Sequence, residues 1–216
     1  MENARIIDLD SPEVRYLCER DKRLARAIRL VGPITYWIYD DEYKFLVRSI
    51  ISQMISGRAA EKIMGRLETA CDSHVTPDAI DALSDDDLRN VGLSRPKIAY
   101  LRGLNEALES KDLEFDELRR LSDEDVVKRL TALNGVGQWT ATIYLVFMLG
   151  RPDVAAPYDR CFQAAFRWLY ETDDASVRAV KQRAKMWSPY ASIVTRYFYQ
   201  FLDLGLTKQK LSEWER

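Results

Sequence analysis

A chain of 216 residues, 47% hydrophobic and 31% charged, can bury one large core or two small ones without a metal or disulfide staples. No run approaches the roughly 20 uninterrupted apolar residues a membrane-spanning helix needs, and the opening Met1-Glu-Asn-Ala-Arg-Ile lacks a basic segment followed by an apolar core, so the expected compartment is the cytoplasm. The net charge of −2 does not advertise a nucleic-acid binder, although the signs are unevenly spread: residues 176–216 carry eight Lys/Arg against three Asp/Glu.

Helical periodicity dominates the chain. Tyr43, Val47, Ile50, Ile51, Met54 and Ile55 recur at i, i+4, i+7, i+8, i+11 and i+12. Gly57 breaks that run before Ala59, Ile63, Met64 and Leu67 begin another, which predicts two consecutive helices meeting at Ser56-Gly57. An acidic stretch follows, with Asp72, Asp78, Asp81, Asp85, Asp86 and Asp87 against Arg89. Within it Thr76-Pro77 reads as an N-cap followed by a first-turn proline, and Ser84-Asp-Asp-Asp87 matches the Ser-x-x-Asp/Glu cap, as does Ser122-Asp-Glu-Asp125 further on. Apolar periodicity then covers residues 98–108, 126–133, 140–149, 161–170, 177–187 and 191–204. No stretch shows the sustained alternation of a half-buried strand, so the predicted fold class is all-α. There is no low-complexity linker and no internal repeat, so any division into lobes is made by the chain crossing between them.

Cys18, Cys71 and Cys161 are odd in number and far apart, so neither a disulfide framework nor a paired-cysteine metal site can be read from them. His74 is the single histidine, so acid–base chemistry falls to carboxylates, Tyr, Lys or Cys. The most pointed stretch is Leu130-Thr-Ala-Leu-Asn134-Gly135-Val136-Gly137-Gln138-Trp139-Thr140-Ala-Thr142. Two glycines one residue apart sit between two helical patterns. They permit positive φ, and the N–H groups of the helix that starts there can meet a phosphate. A bare Gly-x-Gly is equally a plain helix–helix corner.

The wider context is specific. Leu-x-Gly-Val-Gly-x-Trp-Thr-Ala resembles the signature of the helix-hairpin-helix (HhH-GPD) DNA glycosylase superfamily. Ile50-Ile-Ser-Gln53-Met54-Ile-Ser56 with Ala59-Ala60, and Val91-Gly-Leu-Ser94-Arg-Pro-Lys97 with Tyr100-Leu101, are similar to two further blocks of that family. Trp187-Ser-Pro189-Tyr190-Ala-Ser resembles the closing block of its 3-methyladenine DNA glycosylase II (AlkA-like) branch. The similarity spans about residues 21–204, in the family's order.

The resemblance implies a two-lobed helical glycosylase fold with the active-site cleft between lobes. One lobe is expected at 41–150, with the helix-hairpin-helix at about 122–150, and the other at 1–40 plus 151–216. It implies Asp159, in Pro157-Tyr158-Asp159-Arg160, as the catalytic carboxylate; by its residues alone this is also an N-cap aspartate, and Asp153 in Gly150-Arg-Pro-Asp is the competing acid. Asn134, Gly135, Val136, Gly137, Gln138 and Thr140 would hold DNA phosphate. A wedge that fills the gap left in the base stack would be Met54 with Gln53 beside it, although Met54 also fits the core stripe of its helix. Trp139 and Tyr199, then Tyr144 and Trp187, are the candidate base-pocket aromatics, while Ile143 stands where the alkylation branch has another aromatic.

Strand-cleaving members carry a hairpin lysine where this chain has Trp139, so the resemblance implies a monofunctional enzyme, one that excises alkylated purines such as 3-methyladenine from duplex DNA. The four-cysteine motif is absent, so no iron–sulfur cluster and no other cofactor or side-chain metal is expected. Family members often hold a monovalent cation on hairpin carbonyls. The expected partner is double-stranded DNA carrying damaged bases, with no membrane. The expected state is a monomer, nucleoid-associated in a prokaryote. The alternatives are a glycosylase for a neutral base (uracil, mismatched thymine or 8-oxoguanine) and a non-catalytic hairpin module that only binds DNA.

Overall fold

The computed structural model describes residues 3–214, which divide into two compact units. One runs to Ile38 and resumes at Leu145; the other is Tyr39–Tyr144. The chain opens in the first unit with β1 (Asn3–Ile7), α1 (Pro12–Arg20), α2 (Lys22–Val31) and β2 (Ile34–Ile38). The second unit holds α3 (Glu42–Ser52), α4 (Gly57–Ala70), α5 (Pro77–Asp81), α6 (Asp85–Val91), α7 (Arg95–Glu109), α8 (Phe115–Leu118), α9 (Asp123–Thr131) and α10 (Gln138–Ile143). A π-helical turn at Tyr144–Met148 leads back to the first unit and to α11 (Arg160–Tyr170), α12 (Val177–Ala184) and α13 (Ala191–Asp203), followed by 3₁₀ turns at Leu206–Lys208 and Leu211–Trp214.

The fold is mostly helical, as the periodicity predicts, and several helices start where the caps place them. Thr76 accepts the Ala79 N–H, Ser84 and Asp87 form a reciprocal capping box, and Ser122 accepts the Asp125 N–H. Two features depart from the expected pattern. β1 and β2 form an antiparallel pair, from Asn3 opposite Ile38 to Ile7 opposite Ile34. Only one face of the pair is covered: Ile7 and Ile34 are buried while Ile6 and Trp37 are exposed, so the apolar alternation never runs long enough to register as a strand pattern. In addition, α3 stops at Ser52 rather than running to Ser56, and the connection to α4 contains Met54 with φ +59°.

In the unit Tyr39–Tyr144 the core is the apolar face of α3 (Phe45, Leu46, Val47, Ile50, Ile51) packed with α4 (Met64, Leu67) and α7 (Ile98, Leu101, Leu104). Tyr43 donates to Asn105 Oδ1 at 2.6 Å, and Asn105 donates on to the Pro77 carbonyl at 3.1 Å. The acidic stretch has an internal partner. Arg102 donates to the Ile80 and Leu83 carbonyls and to the Asp81 and Asp85 carboxylates at 2.6–3.2 Å, tying α5 and α6 to α7.

The other unit is built on aromatics. Phe162, Trp187, Phe198 and Phe201 are fully buried, with ring centroids 4.6 Å apart for Phe162–Phe198 and 5.7 Å for Trp187–Phe198. The polar end of Trp187 is satisfied as well: its Nε1 donates to the buried carboxylate of Asp21, which also accepts from the Tyr170 hydroxyl and caps α2 through Leu24 N. Trp187→Ala should therefore cost about 3–5 kcal/mol of unfolding free energy, through lost packing and a weakened Asp21 network. Urea unfolding checks this; a loss below about 1 kcal/mol would remove Trp187 from the core.

Candidate active site

Asp159 owes its position to local chain chemistry. Pro157 cannot continue a helix, the Asp159 N–H turns back to the Ala156 carbonyl at 3.0 Å, and the side chain then caps α11, with Oδ1 accepting from Phe162 N at 2.8 Å. Gln163, one turn on, donates to the Pro157 carbonyl at 2.8 Å and fixes the loop from the helix side. Asp159 is 7% exposed and sits at the positive end of an eleven-residue helix. The N-cap role and a chemical role are thus compatible in one residue.

Tyr199, on α13, belongs to the same site. Tyr199 is half-buried as a residue, and its hydroxyl oxygen is buried beside the Asp159 carboxylate. Burial first, and then the nearby Asp159 carboxylate, push this phenol well above its ordinary range, so it keeps its proton. The Tyr199 ring packs on Phe147 at 5.8 Å. Phe147 and Tyr36 in turn hold the guanidinium of Arg196, whose carbon lies 4.7 Å from the Phe147 centroid and 3.8 Å from that of Tyr36. Arg196 is buried and donates to the Val146 carbonyl at 2.7 Å; burial lowers it to about 10, which still leaves it charged at neutral pH. Sequence reasoning missed Phe147 and Arg196. The available signal was the i, i+3 spacing of Arg196 and Tyr199, which puts both on one side of α13.

Asp153 has a different employment. Its Oδ2 accepts from Ser188 Oγ at 2.5 Å and its Oδ1 from Ala191 N at 3.2 Å, so it caps α13 and anchors the Trp-Ser-Pro-Tyr block. Two of the expected pocket aromatics are also core. Trp187 is enclosed as described above, and Tyr144 is fully buried against Phe45, ring centroids 5.8 Å apart; neither presents a face to a base.

The hairpin lies in the other unit. α9 ends at Thr131, Gly135 turns with φ +85°, and Gly137 caps α10 while offering no side chain to the first N–H groups of that helix. Asn134, Gly137 and Gln138 are exposed, and Trp139 is half-exposed. Val136 and Thr140 are buried, and the Val136 N–H already donates to the Leu133 carbonyl at 3.1 Å. Met54 is 96% exposed, which removes it from the core stripe the periodicity offered it. The reason is its left-handed backbone, two residues after α3 has ended. Gln53 beside it donates from Nε2 to the Gly135 carbonyl at 2.7 Å, joining this loop to the hairpin.

Comparison with known proteins bears on this arrangement. Residues 47–189 match the family described as HhH-GPD superfamily base excision DNA repair protein. The crystal structure of a DNA-3-methyladenine glycosidase from Bacillus halodurans is 32% identical, superposes with a TM-score of 0.84, and is covered to 96%, as is this chain. A 3-methyladenine DNA glycosylase of Schizosaccharomyces pombe, solved in complex with abasic DNA, is 26% identical with a TM-score of 0.79 over 90% of this chain and 98% of its own. In sequence, DNA-3-methyladenine glycosylase 1 of Schizosaccharomyces pombe is 27% identical over 197 residues, 88% of this chain and 86% of the relative.

Proposed function

Because the chain belongs to the HhH-GPD superfamily of base excision DNA repair proteins, we propose that it is a monofunctional DNA N-glycosylase that excises alkylated purines, 3-methyladenine foremost, and leaves an abasic site. The observation that carries the reaction is the Asp159 carboxylate, held at a helix N-terminus beside a protonated Tyr199. As the base leaves, positive charge builds on the sugar ring. A carboxylate fixed in place stabilises that charge without reorganising, and it can take a proton from the incoming water.

An anionic group and a half-buried aromatic residue side by side favour a cationic alkylpurine over a neutral base, and such a base needs little help to depart. In this reading the exposed residues Asn134, Gly137 and Gln138 of the hairpin hold phosphate and Met54 fills the stack where the nucleotide has left. Trp139 supplies no amine, so no Schiff base forms and the strand stays intact. The reaction needs no redox cofactor. If a monovalent cation binds the hairpin, the carbonyls of Leu133 and Gly135 suit it: each accepts one hydrogen bond within the protein, from Val136 N and from Gln53, and retains a second lone pair. No helix among the described residues is long and apolar enough to cross a membrane, and we place a monomeric enzyme with its DNA, in the cytoplasm or on a nucleoid.

The test is release of free bases from methylated genomic DNA, separated by chromatography, with borohydride added to a parallel reaction. Free 3-methyladenine and no covalent protein–DNA adduct are expected. Release of uracil, thymine or 8-oxoguanine from their own substrates, with none from methylated DNA, would replace the substrate class. A borohydride-trapped adduct would overturn the monofunctional assignment.

A further inference from the structure

The block Val91-Gly-Leu-Ser-Arg-Pro-Lys97 has no role in the chemistry above, yet one of its side chains reaches the wedge loop. Lys97 sits in the first turn of α7, where a cation opposes the dipole of its own helix. Its ammonium crosses instead to the C-terminal end of α3, donating to the Ile51 carbonyl at 2.7 Å and to the Gln53 carbonyl at 2.9 Å. Those are carbonyls of the kind a helix end leaves without an intrahelical partner, and there a positive charge is favourable.

The next three residues have little else to hold them. The backbone bonds from Gln53 N to Ile50 O and from Ile55 N to Ser52 O are long, at 3.4 and 3.5 Å. Met54 holds a left-handed backbone, which is disfavoured for a residue with a Cβ. Its side chain, 96% exposed, recovers none of that by packing. The conformation therefore depends on the two side-chain ties at Gln53: Lys97 on its carbonyl, and its own amide on Gly135 O. One turn along α7, Tyr100 lies under Gly135, so close that a Cβ there would meet the ring at 2.3 Å. Lys97 and Tyr100 thus brace the loop and the hairpin from one face of one helix.

We propose that Lys97 is a positioning residue for base extrusion, holding Met54 in its projecting, left-handed conformation through the carbonyls of Ile51 and Gln53 at a fixed span from the hairpin. This rests on the glycosylase reading and adds to it a residue that touches neither base nor sugar. Lys97→Met removes the donors and keeps the stem; Lys97→Arg keeps charge and donors.

The experiment uses the full chain and a duplex with a tetrahydrofuran abasic analogue flanked by 2-aminopurine, whose fluorescence reports unstacking, together with single-turnover base release from methylated DNA. Lys97→Met should melt close to wild type and bind undamaged duplex within about threefold, while base release slows by about 100-fold, as for a small displacement made away from the reacting atoms. The 2-aminopurine signal should fall with it, and Lys97→Arg should recover most of both. Met54→Ala should lower the same two readouts, and the Met54→Ala/Lys97→Met pair should be no worse than the poorer single, because the two act as one unit. Should Lys97→Met fold poorly, Gln53→Ala severs the other tie at a half-exposed position and carries the same expectation. Losses that multiply in the double variant, or a Lys97→Met protein with the full 2-aminopurine signal, would overturn the proposal. Failure of the glycosylase reading would look different: wild type itself would release no base from any substrate and show no preference for the abasic duplex, and both ideas would fall together.

Discussion

Asp159→Asn is expected to slow base release by about 10²–10³-fold while leaving the protein folded and its binding to an abasic-site analogue intact. The substitution separates the two jobs of the residue. Asparagine ranks with aspartate as an N-cap, so the bond from Phe162 N and the start of α11 should survive; the charge at the helix N-terminus is lost, at a cost of about 0.3–1 kcal/mol. What disappears is the negative charge that meets the sugar cation. Asp159→Ala supplies the contrast, because it loses cap and charge together and should melt lower by a further increment of about 1 kcal/mol. The measurement is single-turnover release from methylated DNA, read beside the melting temperature and the affinity for the abasic analogue. Equal rates for wild type and Asp159→Asn would remove Asp159 from the mechanism. A rate that falls only as far as the melting temperature predicts would leave it a cap and nothing more.

The helices and their starts were legible because they rest on short-range chemistry. Ser84, Ser122 and Thr76 each bond an N–H three residues on, and that relation is written in the sequence itself. Asp159 as an N-cap was legible for the same reason. Its neighbour Tyr199 is forty residues away, and only packing brings the phenol to the carboxylate. Met54 shows the limit of periodicity from the other side. Counting i+11 places it on the stripe of α3, but a count cannot register a helix that ends at Ser52 or a backbone that turns left-handed at the next residue but one. Trp187 and Tyr144 show a different limit, since a pocket wall and a core wall ask for the same aromatic residue, and only burial on all sides tells them apart. The β1–β2 pair escaped because five-residue strands with one covered face carry too few alternations to stand out against helical noise.

The two hairpin glycines, equivalent in the sequence, should separate on substitution. Gly135 sits at φ +85°, and an added Cβ would come within 2.3–2.8 Å of the Tyr100 side chain, against the ring root and not a flexible end. Gly135→Ala should therefore lower stability by about 2–4 kcal/mol, from backbone strain and overpacking together, and should disturb the Gln53 bond to its carbonyl. Gly137 has φ −98°, an ordinary value, and nothing within 4 Å of a built Cβ. Gly137→Ala should keep its unfolding free energy within about 1 kcal/mol of wild type. If the α10 N–H groups hold a phosphate, the same methyl group stands between backbone and ligand. Affinity for the abasic duplex should then fall about 10-fold or more, the worth of one charge-assisted hydrogen bond. A stable Gly137→Ala protein with wild-type affinity would show that the hairpin is a structural corner that holds no phosphate. A Gly135→Ala protein as stable as wild type would show that Tyr100 can yield, and would loosen the argument that α7 braces the hairpin.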